Sequence, residues 1–370
     1  MRSFLSKSKK SIDLQLLLII GFLLSFGLIT LYSASTVESY NNFGDTTRYI
    51  IHQIKFGAVI GLLAMFVLYK VDYHIFKKLL PILLASSLIL LFLVKFSDLS
   101  FSAGGASRWL KLGPFSFQPS ELAKITIIVY MAAWLERKKE ILHDFWHGLL
   151  PSLVVVGLIS FLILWQPDFG TMFVIIAIAC IMLFAGGLSW KHLTIGFFAL
   201  FILLYLFIHF EPYRAERLLT FLNPDFDPRG IGYQVNQSLL GIGAGGEWGY
   251  GYGLSRQKYN YLPASYTDSI FAVTAEELGF FRVIFVIFGF LALALKGLKI
   301  SKNSPDMFGH MLAVGLTAWI SVQAIVNISA LTGLMPLTGI PLPFFSYGST
   351  ALISNLAAMG ILLNIAKQSK

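Results

Sequence analysis

Apolar runs of about twenty residues recur along this chain from Leu14 to Ala366, and that is the length a helix needs to cross the hydrocarbon core of a bilayer. Ten spans are expected, at 14–33, 52–69, 79–97, 121–135, 150–165, 171–187, 192–210, 268–295, 308–331 and 346–366. Their spacing leaves room for a sizeable polar segment only at 211–266, although 370 residues could otherwise hold two soluble domains. The chain therefore reads as one membrane domain, 1–370, all-α in class, with a short cytoplasmic tail at 1–13. Composition agrees: 56% of residues are hydrophobic and 13% charged, against roughly 45–50% and 25% in soluble domains.

Basic residues orient the spans. With the N-terminus in the cytoplasm, Arg2, Lys7, Lys9, Lys10, Lys70, Lys77, Lys78, Arg137, Lys138, Lys139, Lys191, Lys296, Lys299, Lys302, Lys367 and Lys370 all fall on the inner side, as the positive-inside rule requires. Both termini are then cytoplasmic, and 211–266 becomes a large extracytoplasmic loop between the seventh and eighth spans. The net charge of +9 is distributed over these connections, with no basic stripe or arm of the kind that binds nucleic acid. The first apolar stretch, Leu14 to Leu31, is longer than the core of a cleavable signal, so it reads as an uncleaved signal anchor. Cys180 is the only cysteine, which excludes an intramolecular disulfide and a thiolate metal site.

The outer side carries the polar chemistry. Asp268, in YLPASYTDSIFAV, stands where the 211–266 loop enters the eighth span. It fits two roles, a helix-start residue stabilised by the macrodipole or a carboxylate that takes a proton from a substrate hydroxyl. Glu276 and Glu277 lie roughly 12 Å deeper on the same helix and point about 80° and about 180° away from Asp268, so both cannot join it. Intramembrane acids are either functional or paired, and Arg282 or a polar group on a neighbouring helix would serve as partner. Glu121 and Lys124 in QPSELAK share a helix face at i and i+3, the spacing of a local ion pair. Asp168 in QPDFGT suits a turn. Arg108, Lys111, Arg214, Arg217, Arg256 and Lys258 are bases on the side where the orientation rule disfavours them; they are either solvated charges or contacts for an anionic headgroup or pyrophosphate. The GIGAGGEWGYGYG run at 241–253 lacks the lysine and the strand-to-helix setting of a nucleotide loop, so it reads as close packing and tight turns.

Taken together, these strings resemble the SEDS (shape, elongation, division and sporulation) family. The likeness runs through LYSAS at 31–35, GGASRWLKLGPFSFQPSELAK at 104–124, QPDFGT at 166–171, FLNPDFDPRGIGYQVNQSLLGIGAGG at 221–246, GLSRQKYNYLPASYTDSIFAVTAEELG at 253–279 and TGLMPLTGIPLPFFSYGST at 332–350. SRW, PDFG, GYQ, SRQK and GIPLPFFSYG are closer to the division-type FtsW branch than to the elongation-type RodA branch. Tyr266 stands where the family commonly has histidine.

The resemblance implies a peptidoglycan glycosyltransferase of the bacterial cytoplasmic membrane, working at the division site with a class B penicillin-binding protein and other division proteins. It would polymerise lipid II into glycan strands on the outer face. The family's essential aspartate falls on Asp268, and its other functional charges fall on Glu121, Lys124, Asp168 and Arg108. The reaction displaces a lipid-linked pyrophosphate from an anomeric carbon by a sugar 4-hydroxyl, with inversion. Such a site needs a base, Asp268, and cationic help for the leaving group from the outer bases Arg214, Arg217, Arg256 and Lys258, assisted by a divalent cation (Mg²⁺ or Mn²⁺) and no organic cofactor. No protein ligand set for that metal is legible. A lipid II flippase using Asp168, Glu276 or Glu277, an elongation-type polymerase and a noncatalytic division scaffold are the alternatives. The aromatics of 248–259 also suit a docking surface for the partner, or the packing of the loop onto the bundle.

Overall fold

The computed structural model describes residues 12–97, 100–103, 106–112, 115–138, 142, 144–189, 192, 194, 220–221 and 230–369. Among them are ten helices: α1 (Leu14–Phe43), α2 (Arg48–Lys70), α3 (Ile75–Phe96), α4 (Pro119–Lys138), α5 (Phe145–Leu164), α6 (Phe169–Ala185), α7 (Ile231–Gly245), α8 (Ile270–Lys302), α9 (Met307–Leu331) and α10 (Ser349–Gln368). Seven of these, α1, α2, α3, α5, α8, α9 and α10, are long and apolar enough to cross a membrane. α4 and α6 coincide with the expected fourth and sixth spans, 121–135 and 171–187, and the expected seventh, 192–210, lies almost entirely outside the described residues. Arg214 and Arg217 lie outside them as well.

Local chemistry sets several helix ends. Asp13 caps α1 by accepting from the Leu16 amide at 3.0 Å, and Gly44 closes the helix in the left-handed region. Asp306 caps α9 in the same way. Lys296 reaches back from α8 to Asp13 at 2.8 Å, joining the beginning of α1 to the later part of α8.

α9 is the central helix. It packs against α8, α4 and α6, and buries Met311, Leu312, Trp319 and Ile320. By contrast α2 and α8 leave Leu63, Phe66, Phe285 and Phe288 exposed on the outside of the bundle, as helices facing lipid do. α10 packs on α2, α3 on α4, α1 on α8 and α5 on α6.

Two features depart from the sequence expectation. The segment 98–120, between the expected third and fourth spans of an all-α protein, holds a three-stranded antiparallel sheet of β1 (Ser100–Ala103), β2 (Ala106–Leu112) and β3 (Phe115–Phe117), with Leu110 opposite Ser100 and Phe117. Short strands next to Gly and Pro give too weak an alternation to stand out beside long apolar helices. The described part of 211–266 is also no free loop, because α7 lies along α8. After α7, residues 246–251 enter the backbone ladder of α8: Phe280 N donates to Gly246 O at 2.8 Å, Gly251 N to Glu277 O at 2.9 Å and Tyr250 N to Glu276 O at 3.1 Å. α8 is broken there at Gly279, whose φ of 73° only glycine adopts readily. Gly249, also in the left-handed region, meets Gly279 backbone to backbone, leaving no space for a Cβ on either. The glycines of 241–253 therefore do serve close packing and tight turns.

Candidate active site

Asp268, Glu121 and Asp168 sit at the same end of the bundle because α4, α6 and α8 all begin there, while α9 ends there and its following loop, 332–348, returns across that end to start α10. Asp268 stands one residue ahead of Ser269, the cap position of α8. The three carbonyls leading into the helix are each held from outside it. Tyr347 N donates to Tyr266 O at 2.9 Å, Ser346 Oγ to Thr267 O at 2.6 Å and Asn327 Nδ2 to Asp268 O at 2.8 Å. The backbone of Asp268 is thereby fixed against α9 and the 332–348 loop. Its carboxylate accepts from Thr267 Oγ1 at 3.0 Å and, at a longer 3.4 Å, from Gln234 Nε2 on α7. Gly339 lies beside Oδ2, close enough that a Cβ would be in van der Waals contact with it. A half-buried carboxylate that accepts from the Thr267 and Gln234 side chains among the described residues, at the mouth of a bundle, suits proton abstraction from a bound hydroxyl.

Glu121 and Lys124 form the ion pair their spacing predicts, at 2.9 Å, and both are buried. Lys124 also donates to Gln323 Oε1 at 2.9 Å and lies 4.7 Å over the Trp319 ring, so its charge has three kinds of partner. Gln323 in turn donates to Pro341 O at 2.9 Å. Asp168 caps α6 through the Thr171 amide at 3.1 Å and is buried, a turn role as its setting suggests. Gly170 beside it touches Thr338 and Ile340 of the 332–348 loop. Arg108, on β2, donates to the carbonyls of Gln166 and Pro167, binding the small sheet to the connection that carries Asp168.

The remaining bases divide. Lys258 is buried and pairs with Glu277 at 3.1 Å, with Ser33 Oγ and Gly253 O as further acceptors, so its ammonium faces inward. Arg256 is exposed and stacks 5.2 Å from the Tyr250 ring. Glu276 accepts from Ser255 Oγ, the Arg256 amide at 2.9 Å and the Gln257 amide at 3.2 Å. Both deep acids thus anchor the 253–258 turn, and their partners come from that turn and from α1, with Arg282 donating instead to Trp248 O.

The sequence profile of a family described as cell cycle protein, FtsW/RodA/SpoVE, matches residues 14–370. The chain belongs to that family. It is 41% identical over 355 residues to the probable peptidoglycan glycosyltransferase FtsW of Trichlorobacter lovleyi, covering 96% of this chain and 93% of the relative. It is 38% identical to stage V sporulation protein E of Bacillus subtilis, covering 99% of this chain and all of the relative. Among solved structures, a chain from work on the coordination of polymerization and crosslinking by a peptidoglycan synthase complex superimposes with a TM-score of 0.81 at 28% identity, over 96% of this chain and 98% of that one. The rod shape determining protein RodA of Thermus thermophilus follows with 0.71 at 26% identity, over 100% and 99%. The SEDS resemblance is thereby confirmed, and this member of the family is a multi-pass membrane protein.

Within this FtsW/RodA/SpoVE protein, the structure gathers Asp268, Glu121 and Lys124 around α9 and the 332–348 loop, places Asp168 and Arg108 on the α5–α6 side of that loop, and sets Lys258 apart in the Glu277 pocket. Sequence reasoning missed Gln323 and Asn327, whose signal was available: two amides at i and i+4 inside an apolar span. It also missed an aromatic cluster beside Asp268, where Tyr49 stacks on Tyr266 at 4.8 Å and meets Tyr347 at 5.0 Å. Burial and the neighbouring Tyr49 hydroxyl push the Tyr266 phenol well above its ordinary pKa, so it stays neutral and able to donate. No local pattern joins residues 49, 266 and 347.

Proposed function

We infer that this protein is a peptidoglycan glycosyltransferase that polymerises lipid II, of the division type. The observation that carries the reading is its full-length likeness to relatives named for that activity, together with Asp268 at a fixed mouth of the bundle. Asp268 takes the proton of the attacking sugar 4-hydroxyl as the bond to the anomeric carbon forms and the pyrophosphate leaves with its lipid, inverting the centre. The Thr267 hydroxyl and Gln234 amide orient the carboxylate for this step. Arg256, with Arg214 and Arg217, supplies positive charge toward the pyrophosphate, whereas Lys258 acts at one remove by holding the 253–258 turn. Glu121 and Lys124 organise the site through Gln323, and Asp168 and Arg108 through the α5–α6 connection.

A divalent cation, Mg²⁺ or Mn²⁺, would enter with the pyrophosphate, whose oxygens supply most of its ligands. Among the described residues no three His, Cys, Asp or Glu side chains converge, so they do not fit a resident metal site and no step is assigned to it. We place the Asp268 end outside the cytoplasmic membrane, with ten spans, both termini inside, and the chain forming a single domain at the division site. The synthase-complex neighbour supports a class B penicillin-binding protein as partner. Trp248, Tyr250 and Tyr259 are exposed where such a protein could rest, although Trp248 also packs on Phe281 at 5.2 Å and Tyr252 bonds Ile29 O at 2.7 Å. Purified protein in liposomes with lipid II, with and without a class B penicillin-binding protein, tests the activity by glycan-chain length. Absence of chains under both conditions from a folded protein would overturn it.

A further inference from the structure

Asn327 lies one turn before the end of α9, buried, and both hydrogens of its amide nitrogen are in use: one goes to Asp268 O at 2.8 Å and the other to Ile340 O at 2.8 Å. The orientation is unambiguous, because both partners are carbonyls and only the nitrogen can donate to them. Asp268 O lies just ahead of α8, whose cap is Ser269, so the bond from Asn327 is a tertiary one. Ile340 follows Gly339, the residue beside the Asp268 carboxylate. One side chain thus fixes the backbone that bears the carboxylate and the backbone that lines it. One turn earlier, Gln323 grips the next carbonyl, Pro341 O, while its own oxygen accepts from Lys124. Two amides on one face of α9 therefore connect the Glu121–Lys124 pair to Asp268 through adjacent carbonyls of a single loop.

We propose that Asn327 is a positioning residue for polymerisation: it holds Asp268 against the 332–348 loop at the distance the proton transfer needs, without touching substrate. The inference rests on Asp268 being the base. Displacement of a reacting group by about 1 Å is enough for a loss near 100-fold in turnover, and replacing Asn327 by an apolar side chain of similar size releases both backbones at once.

The test compares Asn327→Leu, Asn327→Gln, Asp268→Asn and the unaltered protein in nanodiscs. Lipid II binding stoichiometry is measured beside steady-state glycan synthesis and its pH profile. Asn327→Leu is expected to bind lipid II stoichiometrically, with KM within about threefold of the unaltered protein and kcat lower by roughly 30- to 100-fold. Asn327→Gln, which keeps the amide donor, is expected to recover part of that loss. A purely structural role would lower binding and turnover together and leave the pH profile unshifted. Turnover of Asn327→Leu near the unaltered value, or a loss that matches its lost binding, overturns the inference. The reference variant separates the two failures. If Asp268→Asn is silent while Asn327→Leu turns over normally, only the positioning role falls; if Asp268→Asn turns over normally, the base assignment falls and the positioning role with it.

Discussion

Two sets of carboxylates, one at the entrance of α8 and one inside it, have opposite fates. Asp268 stands just ahead of α8, half-buried, its backbone clamped by three tertiary bonds and its carboxylate oriented by side chains of Thr267 and Gln234. About two turns further on, Glu276 and Glu277 are buried and accept from Ser255, from the amides of 255–257, from Ser33 and from Lys258. The first arrangement fixes the atoms around a carboxylate and leaves it at the mouth; the second uses the carboxylates themselves as anchors for a re-entering chain. A buried acid is thus a poor guide to chemistry until its partners are known.

That contrast can be broken by measurement. Asp268→Asn should lower glycan synthesis by about 10²- to 10⁴-fold, the range for removing a general base, while leaving the thermal midpoint in detergent nearly unchanged. A large fall in midpoint would place Asp268 with the anchors instead. Glu277→Gln should do the reverse first: it strands the buried Lys258 ammonium and should destabilise the fold by about 3–5 kcal/mol. Adding Lys258→Met should return part of that stability, and a simple sum of the two single effects would show that the pair is not coupled.

The Glu121–Lys124 pair lies between these extremes, buried like the anchors but joined to the Asp268 loop through Gln323. Reversing either charge should abolish most activity. Reversing both should hurt less if pairing is what matters, and equal losses in all three variants would mean that Lys124 must face Gln323 and Trp319 for its own reasons. The smallest effect is expected at Asp168. Asp168→Ala removes the cap of α6 and should cost about 1 kcal/mol, whereas Asp168→Asn, which can still accept from the Thr171 amide, should lose only a few tenths. Greater loss of glycan synthesis than of stability in Asp168→Asn would point to a direct role for its charge.

Much of this was legible in the chain itself. Runs of apolar residues fix helices because a bilayer leaves backbone groups no other partner, and the described helices overlay those runs, although α1 continues ten residues past its expected end and α8 seven. The Glu121–Lys124 pair follows from a helical spacing, and a turn at Asp168 from residue type, whereas the capping of α6 by Asp168 emerges only in the structure. Local rules could not choose between cap and base for Asp268, since either suits a carboxylate at a helix entrance. Only the fold decided that Ser269 takes the cap position and that residues 327, 346 and 347 hold the carbonyls of 266–268. The fold alone also turned 246–258 back along α8, converting Lys258 from a presumed contact for pyrophosphate into the partner of Glu277. The reason is the same in each case. Hydrogen-bonding groups far apart in sequence compete for the same buried partners, and which of them meet is set by how helices pack, a property that periodicity and composition do not encode.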